Sequence, residues 1–204
     1  MLTDHSGLKQ VVLASGNAGK LREFQQMLEG VGFEVLPMSQ FTDESPEETG
    51  LSFVENAIIK ARFASQHSGL PALADDSGLE VDALRGQPGI YSSRFAGPDA
   101  SDADNNQKLL NCLEGLTTEE RSARFQCALV FMRHAEDPTP LICQGSWEGH
   151  IQHSAAGGGG FGYDPLFYVP EHQCSSAELT KEQKNALSHR GKALAQLLPL
   201  LKSL

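Results

Sequence analysis

The chain has 204 residues, of which 16 are Lys or Arg and 26 are Asp or Glu, giving a formal net charge of −10; 40% are apolar and 21% charged. That composition is ordinary for a globular protein, and the length suits a single domain, residues 1–204, with a sizeable core. The acidic balance excludes a broad electrostatic footprint for nucleic acid or an anionic membrane, so any phosphate has to be held locally, by backbone N–H groups, a few Lys or Arg, or a bound cation.

The longest apolar runs, around Ala128–Met132 and Leu197–Leu201, fall well short of the roughly 18 residues of a membrane-spanning helix. Met1-Leu2-Thr3-Asp4-His5 lacks the basic and apolar regions of a signal peptide. Cys112, Cys127, Cys143 and Cys174 are spaced by 15, 16 and 31 residues with no C-x-x-C pair. That spacing predicts buried free thiols in a reducing cytoplasm rather than a zinc site.

In chain order, Val11–Ala14 is a short apolar run that predicts a buried strand. Ser15-Gly16-Asn17-Ala18-Gly19 breaks it, and from Lys20 the residues Leu21, Phe24, Met27 and Leu28 recur at helical spacing up to Gly30. A second extended run covers Phe33–Met38, and residues 42–50 form an acidic loop. Ser52-x-x-Glu55 is a capping box for a helix reaching Ser68, stopped by Gly69 and Pro71. Ala72-Leu73-Ala74 predicts a short strand that delivers the chain into Asp75-Asp76-Ser77-Gly78. Ser101-x-x-Asp104 starts another helix, ending near Gly115. From Ala123 to Phe131 every odd residue is apolar, the pattern of a long strand with one buried face; Asp137-Pro138-Thr139-Pro140 turns it toward an antiparallel partner over Leu141–Ile151. Thr180-x-x-Gln183 caps a C-terminal helical region. Strand–helix units beside a long hairpin predict a mixed α/β architecture.

Four segments carry candidate chemistry. Ser15 to Lys20 is a glycine turn from strand to helix, which aims backbone N–H groups at a ligand above the helix and suits a phosphate. It is not a P-loop, because Ala14 stands where the first Gly belongs and Leu21 follows the lysine. Glu47, Glu48, Asp75 and Asp76 form a carboxylate set; adjacent desolvated carboxylates repel, and a hard divalent cation relieves that repulsion. The competing reading is an Asx-turn at Asp76-Ser77-Gly78 beside a solvated acidic loop. Phe161-Gly162-Tyr163-Asp164-Pro165, entered through Gly157–Gly160, offers close backbone approach and aromatic faces for a base, or a tight turn pinned by core aromatics. Lys184 with Ser188-His189-Arg190 is a donor-rich cluster that reads acceptor atoms, or a solvated basic helix face; Lys60 is equally ambiguous. His150-x-x-His153 is a poor metal pair, since i and i+3 on a strand face opposite ways.

Together the stretches VVLASGNAGK (11–20), EETGLSFVENAIIK (47–60), ADDSGL (74–79), PGIYSSRFA (88–96), GFGYD (160–164) and SHRG (188–191) resemble the inosine triphosphate pyrophosphatase family, the bacterial-type dITP/XTP (non-canonical purine nucleotide) pyrophosphatases. One departure is Ser15, where Thr is common; both keep the hydroxyl. The resemblance implies a mixed α/β fold, a long central mixed sheet with flanking helices, and two lobes around a nucleotide-binding cleft. It implies a homodimer that hydrolyses a purine nucleoside triphosphate to monophosphate and pyrophosphate with Mg²⁺. On that basis Ser15, Gly16, Asn17, Ala18, Gly19 and Lys20 bind the triphosphate, Glu48 and Asp76 hold the metal, and Asp76 is also the proton acceptor. Ser77, Phe161, Gly162, Tyr163, Asp164, Lys184, His189 and Arg190 contact the nucleotide, with Lys60 and Asp75 in support. A related-fold pyrophosphatase for pyrimidine or modified nucleotides and a non-hydrolysing nucleotide-binding protein are the alternatives.

Overall fold

A computed structural model describes residues 9–203, apart from the side chains of Ala18 and Glu23; the reading of residues 1–5 lies outside the described residues. Seven strands form one mixed sheet: β1 (Lys9–Leu13), β2 (Phe33–Pro37), β3 (Ala72–Val81), β4 (Ser122–Met132), β5 (Leu141–Ile151), β6 (Phe167–Val169) and β7 (Cys174–Ser175), in the order β2-β1-β3-β4-β5-β6-β7. β1 pairs in parallel with β2 and β3, whereas β5–β6 and β6–β7 are antiparallel. The flanking helices are α1 (Ala18–Glu29), α2 (Phe53–Ser68), α3 (Asp102–Cys112), α4 (Lys181–Leu187) and α5 (His189–Lys202). The mixed α/β expectation holds. The chain divides into two compact units, one comprising residues up to Asp76, 128–144 and from Ala193 onward, the other 77–127 and 145–192.

In the first unit, Val11, Val12 and Leu13 are fully buried, as their parallel pairing on both sides requires. Phe24 and Leu28 of α1 are buried as their helical spacing predicts. Ser52 caps α2 by accepting the Glu55 N–H at 3.3 Å, and the Glu55 carboxylate takes the Leu51 N–H at 3.0 Å and the Ser52 hydroxyl at 2.8 Å. The inward face of α2 is made of small residues. Ala57 and Ala61 pack with Ala74, Ala128, Val130 and Met132, and Ala64 packs with Val12, Met38, Leu70 and Ala72. Small side chains let the helix axis lie close to the sheet, and full burial of this apolar surface contributes roughly 25 cal/mol per Å².

The short strand expected at Ala72–Ala74 is instead ten residues long and runs straight through Asp75-Asp76-Ser77-Gly78 to Val81. The competing reading of Asp76-Ser77-Gly78 as an Asx-turn is therefore corrected. Polar residues usually end a strand, but here each carboxylate meets a lysine, so the pleat continues. Alternation places Ala72, Ala74 and Asp76 on the face covered by α2, and Leu73 and Asp75 on the opposite one. β4 also departs from the simple pattern. Its first half alternates, but every residue from Cys127 to Met132 is buried.

In the second unit the core is Leu79, Val81, Leu109, Leu113, Phe125, Trp147, Phe167 and their neighbours. Phe125 lies 4.6 Å from Phe167 and 6.4 Å from Trp147 between ring centroids. The capping boxes at Ser101–Asp104 and Thr180–Gln183 are both formed. Arg121 is buried and donates to the carbonyls of Leu113 at 2.7 Å, Leu116 at 3.2 Å and Gln152 at 3.4 Å, which closes the end of α3. All four cysteines are free thiols, but only Cys127 and Cys143 are buried and Cys112 is exposed. Cys112 closes α3 on its exposed side, beside Asn111. His150 lies against Tyr168, and His153 contacts Thr118.

Candidate active site

In the first unit the turn from β1 to α1 is organised by two side chains. The Ser15 hydroxyl accepts the Asn17 N–H at 3.2 Å, and Asn17 Oδ1 accepts the N–H groups of Gly19 at 2.8 Å and Lys20 at 3.1 Å. Asn17 is thus the helix N-cap, and its side chain takes the Gly19 and Lys20 amides. Gly16 is exposed. The Lys20 ammonium reaches across to Asp75, whose side chain is fully buried. These groups border a pocket of about 580 Å³ lined by Ser15, Gly16, Asn17, Lys20, Glu48, Lys60 and Asp75. Thr42, Asp43, Glu44, Ser45 and Phe63 also line it. Composition alone reads residues 42–46 as a solvated loop, and only the fold brings them to a pocket wall.

On the other face of β3, Lys60 Nζ lies 2.6 Å from Asp76 Oδ1 and 3.2 Å from Glu48 Oε1. One ammonium thus bridges two carboxylates, so both are aimed at the same point. Burial pushes the Asp76 carboxyl above the ordinary carboxylate range; Lys60 pulls it back, and the charges of Glu48 and Asp75 add to the rise. Burial also pulls the Lys60 ammonium down, but Asp76 and Glu48 outweigh it and hold it above an ordinary lysine. Glu47 is exposed. The repulsion expected between Asp75 and Asp76 is reduced within the chain, since the two point to opposite faces and each has its own lysine, but Asp75 still adds to the rise of the Asp76 carboxyl. Among the described residues no group of three or more His, Cys, Asp or Glu side chains is arranged to hold a metal. The donor set is two carboxylates converging on one cation beside an open pocket. That fits Mg²⁺, which takes one or two carboxylates and completes its shell with waters and substrate phosphates.

In the second unit, Phe161 is an exposed ring, 42% accessible, with Lys184 Nζ at 5.2 Å and the Arg190 guanidinium at 6.0 Å from its centroid. Arg190 is buried and reaches the Ser77 hydroxyl at 3.4 Å. His189 is buried with its ring stacked on Phe125 at 4.9 Å. Asp164 is buried and pairs with Lys184, accepts the Phe161 N–H at 2.9 Å, and accepts the Ser176 hydroxyl at 2.7 Å. Tyr163 is buried too; its hydroxyl donates to the Ser92 carbonyl at 2.8 Å, and burial pushes its acidity far down. The side chains of Tyr163 and Asp164 therefore hold the loop, and Phe161 and Gly162 form its outer edge. Three of the four preceding glycines, Gly157, Gly159 and Gly160, are crowded by the protein itself. Gly159 packs on the Ala177 carbonyl, and Gly160, at φ +76°, lies against the Asp164 carboxylate, where a Cβ has no room.

An α/β protein with a mixed sheet, a capped strand–helix turn and lysine–carboxylate sets on both faces of one strand is the class that fold and site define. Residues 11–200 match the model of the Ham1 family, and the chain belongs to that family. Among its relatives, the dITP/XTP pyrophosphatase of Vibrio parahaemolyticus is 58% identical over 95% of this chain and 97% of its own. That of Photorhabdus laumondii is 55% identical over 96% of this chain and 100% of its own. Of the solved structures it is similar to, a HAM1 protein from Coxiella burnetii has a TM-score of 0.91 at 51% identity, covering 97% of this chain and 100% of the other. The Staphylococcus aureus Ham1 protein has a TM-score of 0.86 at 41% identity, covering 96% and 99%.

Proposed function

We propose that this protein hydrolyses the non-canonical purine nucleoside triphosphates dITP, ITP and XTP to the monophosphate and pyrophosphate, using Mg²⁺ held by Glu48 and Asp76. The activity is supported by relatives of more than half identity that carry the name dITP/XTP pyrophosphatase. The observation that carries the site assignment is the single ammonium of Lys60 lying between Glu48 and Asp76, which marks one cation position shared by both carboxylates.

Bound there, magnesium supplies neutralisation of phosphate charge and orientation of the attacking oxygen. Asp76 accepts the water's proton, and its raised basicity suits that role. Lys20, and Lys60 once its ammonium yields the position between Glu48 and Asp76, supply positive charge for the leaving pyrophosphate. In the second unit, Phe161 offers a face for the purine. Lys184 and Arg190 donate to acceptor atoms such as the 6-keto group of hypoxanthine and xanthine, where adenine presents a donor. A homodimer follows from the family resemblance. Assignment to the cytoplasm rests on the four free thiols; no helix among the described residues is long and apolar enough to cross a membrane.

The test is a nucleotide panel with product identification, run with and without Mg²⁺. ITP and XTP should be cleaved far faster than ATP, dTTP and UTP, giving monophosphate plus pyrophosphate only when Mg²⁺ is present. Equal rates on ATP and ITP refute the base reading, diphosphate plus phosphate refutes the reaction, and metal-independent turnover refutes the cofactor.

A further inference from the structure

We propose that Asn56 and Gly50 form a latch that sets the register of the acidic loop on α2 and so delivers the Glu48 carboxylate to its place opposite Asp76. The inference rests on the magnesium reading above and extends it to two residues outside the metal-binding set.

Glu48 lies on a segment with no regular secondary structure, yet its carboxylate reaches a fixed partner, Lys60. Something must fix the loop. Two residues beyond Glu48, the Gly50 N–H donates to Asn56 Oδ1 at 2.8 Å. Asn56 is completely buried, and its Nδ2 has no hydrogen-bond partner among the described residues. The one engaged atom of that amide is thus the one that holds the loop. Asn56 and Lys60 are four residues apart on α2, so they project from the same helix face. Asn56 fixes Gly50 one turn below the point where Lys60 fixes Glu48, and the two contacts together define where the intervening chain lies.

The close approach also explains the glycine. A Cβ on Gly50 would lie 2.6 Å from Glu55 Cβ, 2.7 Å from Asn56 Oδ1 and 3.0 Å from the Asn56 nitrogen. Gly50 is not among the residues with positive φ, so its requirement is for contact space and not for a special backbone conformation. Any side chain there lifts the loop off the helix and carries Glu48 with it. Outer groups that orient a metal-binding side chain change metal affinity by roughly 10–100-fold when removed.

The experiment compares Gly50→Ala, Asn56→Ala and Glu48→Gln, singly and with each latch change combined with Glu48→Gln. Two readouts are taken: direct Mn²⁺ binding to the protein in the presence of pyrophosphate, by electron paramagnetic resonance, and the Mg²⁺ concentration for half-maximal ITP cleavage. Gly50→Ala alters an irregular segment and keeps the folded protein available even where the buried Asn56→Ala does not. The latch predicts that each single change weakens Mn²⁺ binding about tenfold or more. It also predicts that neither latch change adds to the loss already caused by Glu48→Gln, because it acts only through that carboxylate. Additive effects, or unchanged Mn²⁺ binding in Gly50→Ala while Glu48→Gln loses it, overturn the latch and leave the metal site standing. No loss in Glu48→Gln itself overturns both.

Discussion

Replacing Asp76 by Asn separates the chemistry from the fold. The amide keeps the shape of the carboxylate and an oxygen for the Lys60 ammonium at the 2.6 Å contact, but it has no negative charge and no basicity. Loss of a positioned proton acceptor costs about 10²–10⁴ in turnover, or roughly 3–5 kcal/mol of barrier at 1.36 kcal/mol per tenfold. Stability responds to two opposed effects. Burial raises the Asp76 carboxyl in the folded protein above its value of 3.8 in the unfolded chain. A carboxyl raised on folding prefers to be protonated in the native state, so its ionised form at neutral pH works against folding. A neutral isostere removes that opposition, but it also takes from the buried Lys60 the charge that most helps to keep its ammonium protonated, leaving Glu48 at 3.2 Å as the charged partner. The two effects oppose each other, so the expected result is a melting temperature within a few degrees of the unaltered protein, with pyrophosphate release from ITP reduced at least a hundredfold. Turnover near that of the unaltered protein rejects Asp76 as the proton acceptor. A melting temperature several degrees lower rejects the electrostatic account of its burial.

Phe161→Leu should raise KM for ITP about tenfold, since base stacking on an aromatic face contributes about 1–3 kcal/mol, while leaving the melting temperature nearly unchanged because the ring is 42% exposed; an unaltered KM removes it as a base platform. Arg121→Met should destabilise the protein by about 2–4 kcal/mol in urea unfolding, as buried carbonyls lose their donor, and a shift under 1 kcal/mol contradicts the capping role. The Arg124 and Ser122 hydrogen bonds hold Asp82 down at about 2, below its value of 3.8 in the unfolded chain. Its contribution is complete above about pH 4 and is lost as the pH falls toward 2. The urea midpoint of Arg124→Ala should accordingly show a weaker acid dependence in that window, and identical acid profiles refute the pairing.

The elements that local chemistry specifies were readable before the fold was known. Ser52, Ser101 and Thr180 cap the helices they announce, and β5 spans the residues its hairpin pattern predicts. Asn17 is equally local, a strong N-cap residue that takes the Gly19 and Lys20 amides. What escaped was tertiary. Asp75 and Asp76 look like a turn because nothing near them in sequence neutralises them, whereas their lysines lie 55 and 16 residues away. Gly157, Gly159 and Gly160 read in sequence as an opening for a ligand because Ala177 and Asp164, which crowd them, come later in the chain. Residues 42–46 carry no signal of being a pocket wall.

The alternation within β3 makes the centre of the protein intolerant of frame. Its start is tied to β1 by pairing Val12 with Ala72 and Leu13 with Leu73. Deleting a single residue between Ala74 and Asp76 would invert everything downstream, turning the second carboxylate toward α1 and away from the helix that carries Lys60. Evolution can therefore trade side chains along this segment but not its length, and surviving variants should differ there by substitution alone.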